Sequence, residues 1–153
     1  ISPGSPGWYE PKVIKDLGKL VYYVMDNVPW VNTASPVYQE ANALFNKKYG
    51  GYLDTNSGYA YTGILVIADA LERAGSAGSD KLLASLRKTD LKAQPMVGDA
   101  IRFAENGDNI NAATAMVQVL PDPDPVKRVK VVLPKSFAQA DYVFPAPQMW
   151  DRG

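Results

Sequence analysis

The order of hydrophobic patterns along the chain constrains its fold more than any other feature. One strand-like run is followed by three helical patterns in succession and then by two longer strand patterns. The first run, residues 19–25, is rich in β-branched and aromatic residues without polar alternation, which predicts a strand covered on both faces. A chain of 153 residues that mixes such strands with helices predicts an α/β fold.

Prolines, capping residues and glycines mark the helix boundaries. A short helix is predicted from Pro11 to Gly18, and a longer one begins after Ser35 and stops at Gly50. The longest helix is predicted to begin near Asn56 and Ser57 and to end at Gly75, and Ser79 is predicted to cap a shorter one. Strands are predicted at 101–103, 114–120 and 126–133, with a connector without regular structure at 26–34.

The charge balance and the missing residue types exclude several classes of function. Sixteen basic and sixteen acidic residues give no net charge, so we expect no nucleic-acid partner. The chain has neither Cys nor His, which removes the commonest metal ligands and general bases. We therefore expect no metal, no cofactor and no enzymatic activity. The alternative is an enzyme that uses carboxylates and Tyr or Lys, for instance around Asp99, Glu105 and Asp108.

Several short motifs occur together in one order. They are ALERAGS at 70–76 with Tyr61 nine residues before its first residue, FxENGD at 103–108, VQV at 117–119 and PxPxxW at 145–150. The ordered set resembles the C-terminal part of the type I periplasmic solute-binding proteins of ABC importers, the family of the leucine-isoleucine-valine-binding protein. The members of that family carry branched-chain amino acids, amides and related small acids.

This resemblance implies two α/β lobes joined by crossing hinge strands, with a ligand clamped between them. It places 1–31 in the second lobe, 32–109 in the first and 110–153 in the second again, with hinge residues Val28 and Trp30. It also implies that an N-terminal portion, including a secretion signal, is missing from this chain. We expect that portion to be present as a separate chain, or the chain to associate with itself, because unpaired strand edges invite pairing.

Two segments are candidates for binding the ligand. Ser2, Pro3, Gly4 and Ser5 would follow a strand and offer hydroxyl and backbone N–H groups to an oxygen-rich or anionic group, unless this end is frayed. The second candidate segment lies at the N-terminus of the longest helix, where free N–H groups favour anions, and it contains Asn56, Ser57 and Tyr59. The alternative there is simple capping, with Tyr59 in a core.

The chain has no acidic residue before Glu10. The resemblance implies that amino-acid binders place a carboxylate in the loop matching 1–7 to pair with the ligand's ammonium group. We therefore expect a ligand without an α-ammonium group, such as an aromatic or aliphatic carboxylate or an amide. Trp8, Tyr9, Trp30 and Tyr52 are also candidates for a ligand pocket, although packing is the more common role of such residues.

The function that the resemblance implies is that of the extracytoplasmic, periplasmic solute-binding component of an ABC importer. Its partners would be a small-molecule solute and a membrane permease, and hinge closure would distinguish the loaded form from the empty form. A ligand-sensing receptor domain of the same fold is the alternative.

Overall fold

A computed structural model of the chain describes residues 6–124 and 127–152. The predicted ligand-binding residues Ser2, Pro3, Gly4 and Ser5 lie outside the described residues, so that part of the site stays a prediction. No helix in the described part of the chain is both long enough and apolar enough to cross a membrane.

The four predicted helices are confirmed. They are α1 (Pro11–Leu17), α2 (Pro36–Tyr49), α3 (Thr55–Ala74) and α4 (Ser79–Leu86). Gly50 and Gly75 end α2 and α3 in the left-handed conformation, with φ of +72° and +58°, a geometry that glycine adopts at little cost. The starts of two helices differ slightly from the prediction. Asp54 is the N-cap of α3, which was predicted to begin near Asn56 and Ser57, and Gly78 rather than Ser79 is the N-cap of α4.

Three strands form one antiparallel sheet in the order β1, β2, β3. They span Met25–Val28, Ala115–Val119 and Val129–Leu133. Val28 pairs with Ala115 across β1 and β2, and Val117 pairs with Val131 across β2 and β3. The chain therefore leaves the sheet after Val28, at the end of β1, and returns to it at the paired residue Ala115, at the start of β2.

The predicted strand at 19–25 is wrong. Gly18–Val21 form a 3-10 turn, and Tyr23 has a φ of +68°, which no extended strand tolerates. The apolar run serves burial instead, since Val21 and Tyr22 lie in the core beside the sheet. The true strand begins at Met25, the last residue of that run, and continues to Val28 in the segment predicted to be a connector.

The short strand predicted at 101–103 is not formed either. Ile101 and Phe103 make only isolated bridges, to Leu91 and Asn109 respectively, and the chain then turns at Gly107 with a φ of +92°. The two later strands are confirmed, although β3 begins only at Val129, after Lys127 and Arg128, which the prediction had included. The C-terminal segment after β3 is irregular apart from two short 3-10 turns, as expected.

The segment after β1 is hydrogen-bonded to the loop that follows α4. The backbone oxygen of Trp30 accepts a hydrogen bond from the Val97 N–H (2.8 Å), and the Asn32 N–H donates to the oxygen of Pro95 (2.8 Å). We call residues 29–32, which lie between β1 and α2, the crossing segment. The proposed division into lobes at residues 31 and 109, with hinge roles for Val28 and Trp30, remains a prediction.

α3 approaches the crossing segment closely because residue 58 is glycine. A Cβ atom at Gly58 would lie 2.8 Å from the Met96 sulfur, closer than real contacts allow, and 3.0 Å from a methyl carbon of Val31, closer than most real contacts. Gly63, one and a half turns further along α3, faces open space. The two glycines therefore differ in packing while sharing the same helical backbone.

We expect Gly63→Ala to stabilise the protein by about 0.5–1 kcal/mol, because alanine restricts the unfolded chain and favours helix. The free energy of unfolding of Gly58→Ala should be about 1–3 kcal/mol lower than that of Gly63→Ala, because the added methyl overpacks the contact with Val31 and Met96. Urea unfolding of both variants measures this difference. Equal unfolding midpoints would show that α3 does not lie this close to the crossing segment.

Candidate functional site

The first turn of α3 is held by a reciprocal pair of hydrogen bonds. The Asp54 carboxylate accepts from the Ser57 N–H (2.9 Å), and the Ser57 hydroxyl oxygen accepts from the Asp54 N–H (2.8 Å). The Ser57 hydroxyl also lies 2.6 Å from the Asp54 carboxylate oxygen, to which it donates. The structure thus gives Ser57 a capping role, and its predicted contact with a ligand remains untested.

The same turn is tied to the crossing segment. The Thr55 hydroxyl donates to the backbone oxygen of Pro29 (2.8 Å). Asn56 is exposed and lines a small cavity together with Tyr9, Trp30, Asp54 and Thr55. The N–H groups of Thr55 and Asn56, at the first two positions of the helix, have no acceptor within α3.

Tyr59 lies in a different, larger pocket of about 370 Å³ that includes space open to solvent. Pro29 lines that pocket and its neighbour Trp30 lines the small cavity, so the crossing segment takes part in both. Tyr59 is 49% exposed, and partial burial raises its pKa. Of the predicted binding residues, the structure therefore places Asn56 beside Trp30 in the small cavity and Tyr59 in the neighbouring larger pocket.

The polar side chains around the larger pocket hold its walls in place. The Gln94 side-chain oxygen accepts from the Met96 N–H (2.7 Å), and the Asn111 amide donates to the oxygen of Ala100 (2.6 Å). Asn109, which also lines the pocket, accepts from the N–H of Asn111 (3.1 Å). These bonds fix the loop that returns the chain to β2.

The three acidic residues considered for an enzyme do not share one pocket. Asp99 lines the larger pocket, whereas Glu105 lines a groove against α4. Asp108 is exposed in the turn, where its carboxylate accepts from the Asn106 amide (2.7 Å). Within the described residues, no group of three or more acidic residues could hold a metal ion.

Two buried tyrosines lie in the electrostatic field of Asp54. Burial, with the charge of Asp54 as a second cause, raises the pKa of Tyr38 to about 12. The same two causes raise the pKa of Tyr52, whose hydroxyl donates to the backbone oxygen of Tyr9 (2.6 Å). Both hydroxyls are therefore protonated at neutral pH.

Asp54 and Thr55 are the residues of the small cavity that the sequence analysis did not select. The signal for Asp54 was present, since Asp followed three residues later by Ser at the start of a helical pattern is typical of a capping pair. Tyr9 was considered as a pocket residue, with packing as the more common role of such residues, and no local pattern places it beside α3.

We expect Asp54→Ala to lower the free energy of unfolding by about 0.5–2 kcal/mol, because the first turn of α3 loses its cap. Asn56→Ala should change it by less than about 0.5 kcal/mol, because the exposed side chain supports no structure. Chemical denaturation of the two variants compares them directly. A large loss for Asn56→Ala would contradict this arrangement.

Stability should also depend on pH through Tyr38. The unfolded residue loses its proton near pH 10, while the folded residue keeps it until pH about 12. Unfolding therefore releases a proton between these values, and the stability that Tyr38 contributes is full below about pH 10 and is lost as pH rises through about 12. Tyr38→Phe should flatten the unfolding free energy across this window, and superimposable curves would contradict the prediction.

Comparisons with known proteins agree with this architecture. A family model for the periplasmic binding proteins matches residues 4–122. No curated protein sequence matches the chain. A leucine-binding protein from Thermotoga maritima is 26% identical, with a TM-score of 0.58 over 72% of this chain and 31% of its own length.

Two further solved structures share the fold. One, from Silicibacter pomeroyi, is 14% identical with a TM-score of 0.65, covering 89% of this chain and 38% of its own. The other is an ABC transporter substrate-binding protein from Desulfitobacterium hafniense in complex with Leu. It is 16% identical with a TM-score of 0.55, and the match covers 79% of this chain and 38% of its own. The chain thus spans about a third of the length of the solved structures that it matches. It belongs to the periplasmic binding protein family.

Proposed function

We propose that the chain is part of an extracytoplasmic solute-binding protein of an ABC importer. The observation that carries this proposal is the family match across residues 4–122, which includes the crossing segment, α3 and both pockets beside it. The protein performs no chemistry; it closes two lobes around a small solute and presents the loaded form to a membrane permease.

The crossing segment is where such closure would act. Val28 ends β1 and Trp30 follows two residues later, both buried, so a rotation here moves the helices relative to the sheet. The first turn of α3 lies against this segment through Thr55 and Pro29. In this proposal Val28 and Trp30 are hinge residues, and Ser2, Pro3, Gly4, Ser5, Asn56, Ser57 and Tyr59 contribute to solute binding.

The rest of the clamp is supplied by more polypeptide than this chain. α3 exposes apolar side chains on the face away from the crossing segment, with Ile64 65% and Ile67 47% exposed. A helix that is apolar on most of its surface is normally buried. We propose that the missing N-terminal part of the same protein, as a separate chain, covers this face, or that a second copy does so.

The solute lacks an α-ammonium group. The Thermotoga relative is a leucine-binding protein, but the present chain has no acidic residue before Glu10 to pair with an ammonium group in the first loop. An unpaired buried ammonium is costly, which favours an aromatic or aliphatic carboxylate or an amide.

Isothermal titration calorimetry tests this ligand class with solutes that share one carbon skeleton. The protein is purified with any associated polypeptide retained. We expect 4-methylpentanoate or 4-methylpentanamide to bind at least about tenfold more tightly than L-leucine, which differs from the acid only by the ammonium group. Tighter binding of L-leucine would contradict the ligand class.

Two variants test the placement of the site. Asn56→Ala should weaken binding of the preferred solute by about five- to tenfold, the effect of one lost hydrogen bond. Asn106→Ala, in the exposed turn, is the matched control and should leave binding unchanged. Equal effects of the two variants would place the solute elsewhere.

A further inference from the structure

One buried polar group stands apart from all others in the described residues. Tyr9 is only 2% exposed, and its hydroxyl is the one buried side-chain polar atom in that part of the chain without a hydrogen-bond partner. A folded protein seldom leaves such a group unpaired, because burying it forfeits its hydrogen bonds to water. The exception therefore calls for a functional explanation.

Tyr9 lines the small cavity at the first turn of α3, together with Trp30, Asp54, Thr55 and Asn56. The free space at its centre is about 10 Å³, close to the least that holds one water molecule. The cavity can therefore receive only an oxygen-sized end of a solute.

Tyr9 is held rigidly from two sides. Its ring packs edge-on against Trp30, with centroids 5.4 Å apart and planes at 76°, and its backbone oxygen accepts from the Tyr52 hydroxyl (2.6 Å). A side chain fixed in this way loses little conformational entropy when it binds a partner. The hydroxyl is thus prepared for an acceptor or donor that the described residues do not supply.

The groups around the cavity define the chemistry that it accepts. The N–H groups of Thr55 and Asn56 at the start of α3 are donors without an acceptor in the helix, which favours an oxygen atom. Asp54 lines the same cavity, and its negative charge disfavours a carboxylate of the solute there. An uncharged oxygen, as in an amide carbonyl or a hydroxyl, satisfies both conditions.

We propose that the Tyr9 hydroxyl hydrogen-bonds an uncharged oxygen of the bound solute and so determines specificity for that end of the ligand. This inference rests on the proposed solute-binding function and deepens it. The solute then completes the hydrogen bonding of this hydroxyl on binding.

The first test needs no ligand. Tyr9→Phe removes the unpaired hydroxyl and keeps the ring, so the melting temperature of the solute-free protein should rise by about 2–4 °C. Tyr49→Phe, at a tyrosine that is 64% exposed, is the matched control and should leave it unchanged. A fall in melting temperature for Tyr9→Phe would overturn the proposal, because the hydroxyl would then have a structural partner.

The second test uses 4-methylpentanamide as the probe and 4-methylpentanoate and L-leucine as comparisons. Tyr9→Phe should weaken binding of the amide about tenfold by calorimetry, whereas Tyr49→Phe should not. If the parent protein binds the amide and Tyr9→Phe binds it equally well, the role of Tyr9 is wrong and the proposed function stands. If the parent protein binds none of the three solutes, the proposed function fails and this inference fails with it.

Discussion

The close contact between α3 and the crossing segment is the constraint on which the rest of the structure depends. Gly58 lets the helix backbone approach the buried side chains of Val31 and Met96. The hydrogen bond from Thr55 to Pro29 fixes the end of the helix at the same place. This contact joins α3 to the segment that continues directly from β1.

The position of α3 in turn creates the candidate site. The capped first turn lies over Trp30, which leaves a small cavity beside Tyr9 and a larger pocket beside Tyr59. The Ser57 side chain, which the sequence predicts as a ligand contact, is hydrogen-bonded to Asp54 in the helix cap. The donors that remain beside the small cavity include backbone N–H groups, the Asn56 amide and the buried hydroxyl of Tyr9.

The parts of this structure that are encoded locally could be predicted from the sequence. The helices were predicted correctly because glycines such as Gly50 and Gly75 and an N1 proline such as Pro36 act within a few residues. The strand at 19–25 was wrong because apolar character alone does not distinguish a strand from a buried turn, and Tyr23 adopts a positive φ. The cavity beside Tyr9 could not be predicted, since it joins residues that are more than forty positions apart in the chain.

The exposed apolar face of α3 connects this fold to the proposed assembly. Ile64 and Ile67 lie on that face, and the chain spans about a third of the solved structures that it matches. Native mass spectrometry of the purified protein in the presence of 4-methylpentanamide and 4-methylpentanoate tests the account most directly. The account predicts an assembly heavier than the 153-residue chain that retains a bound solute molecule. A single folded chain of that length without solute would contradict it.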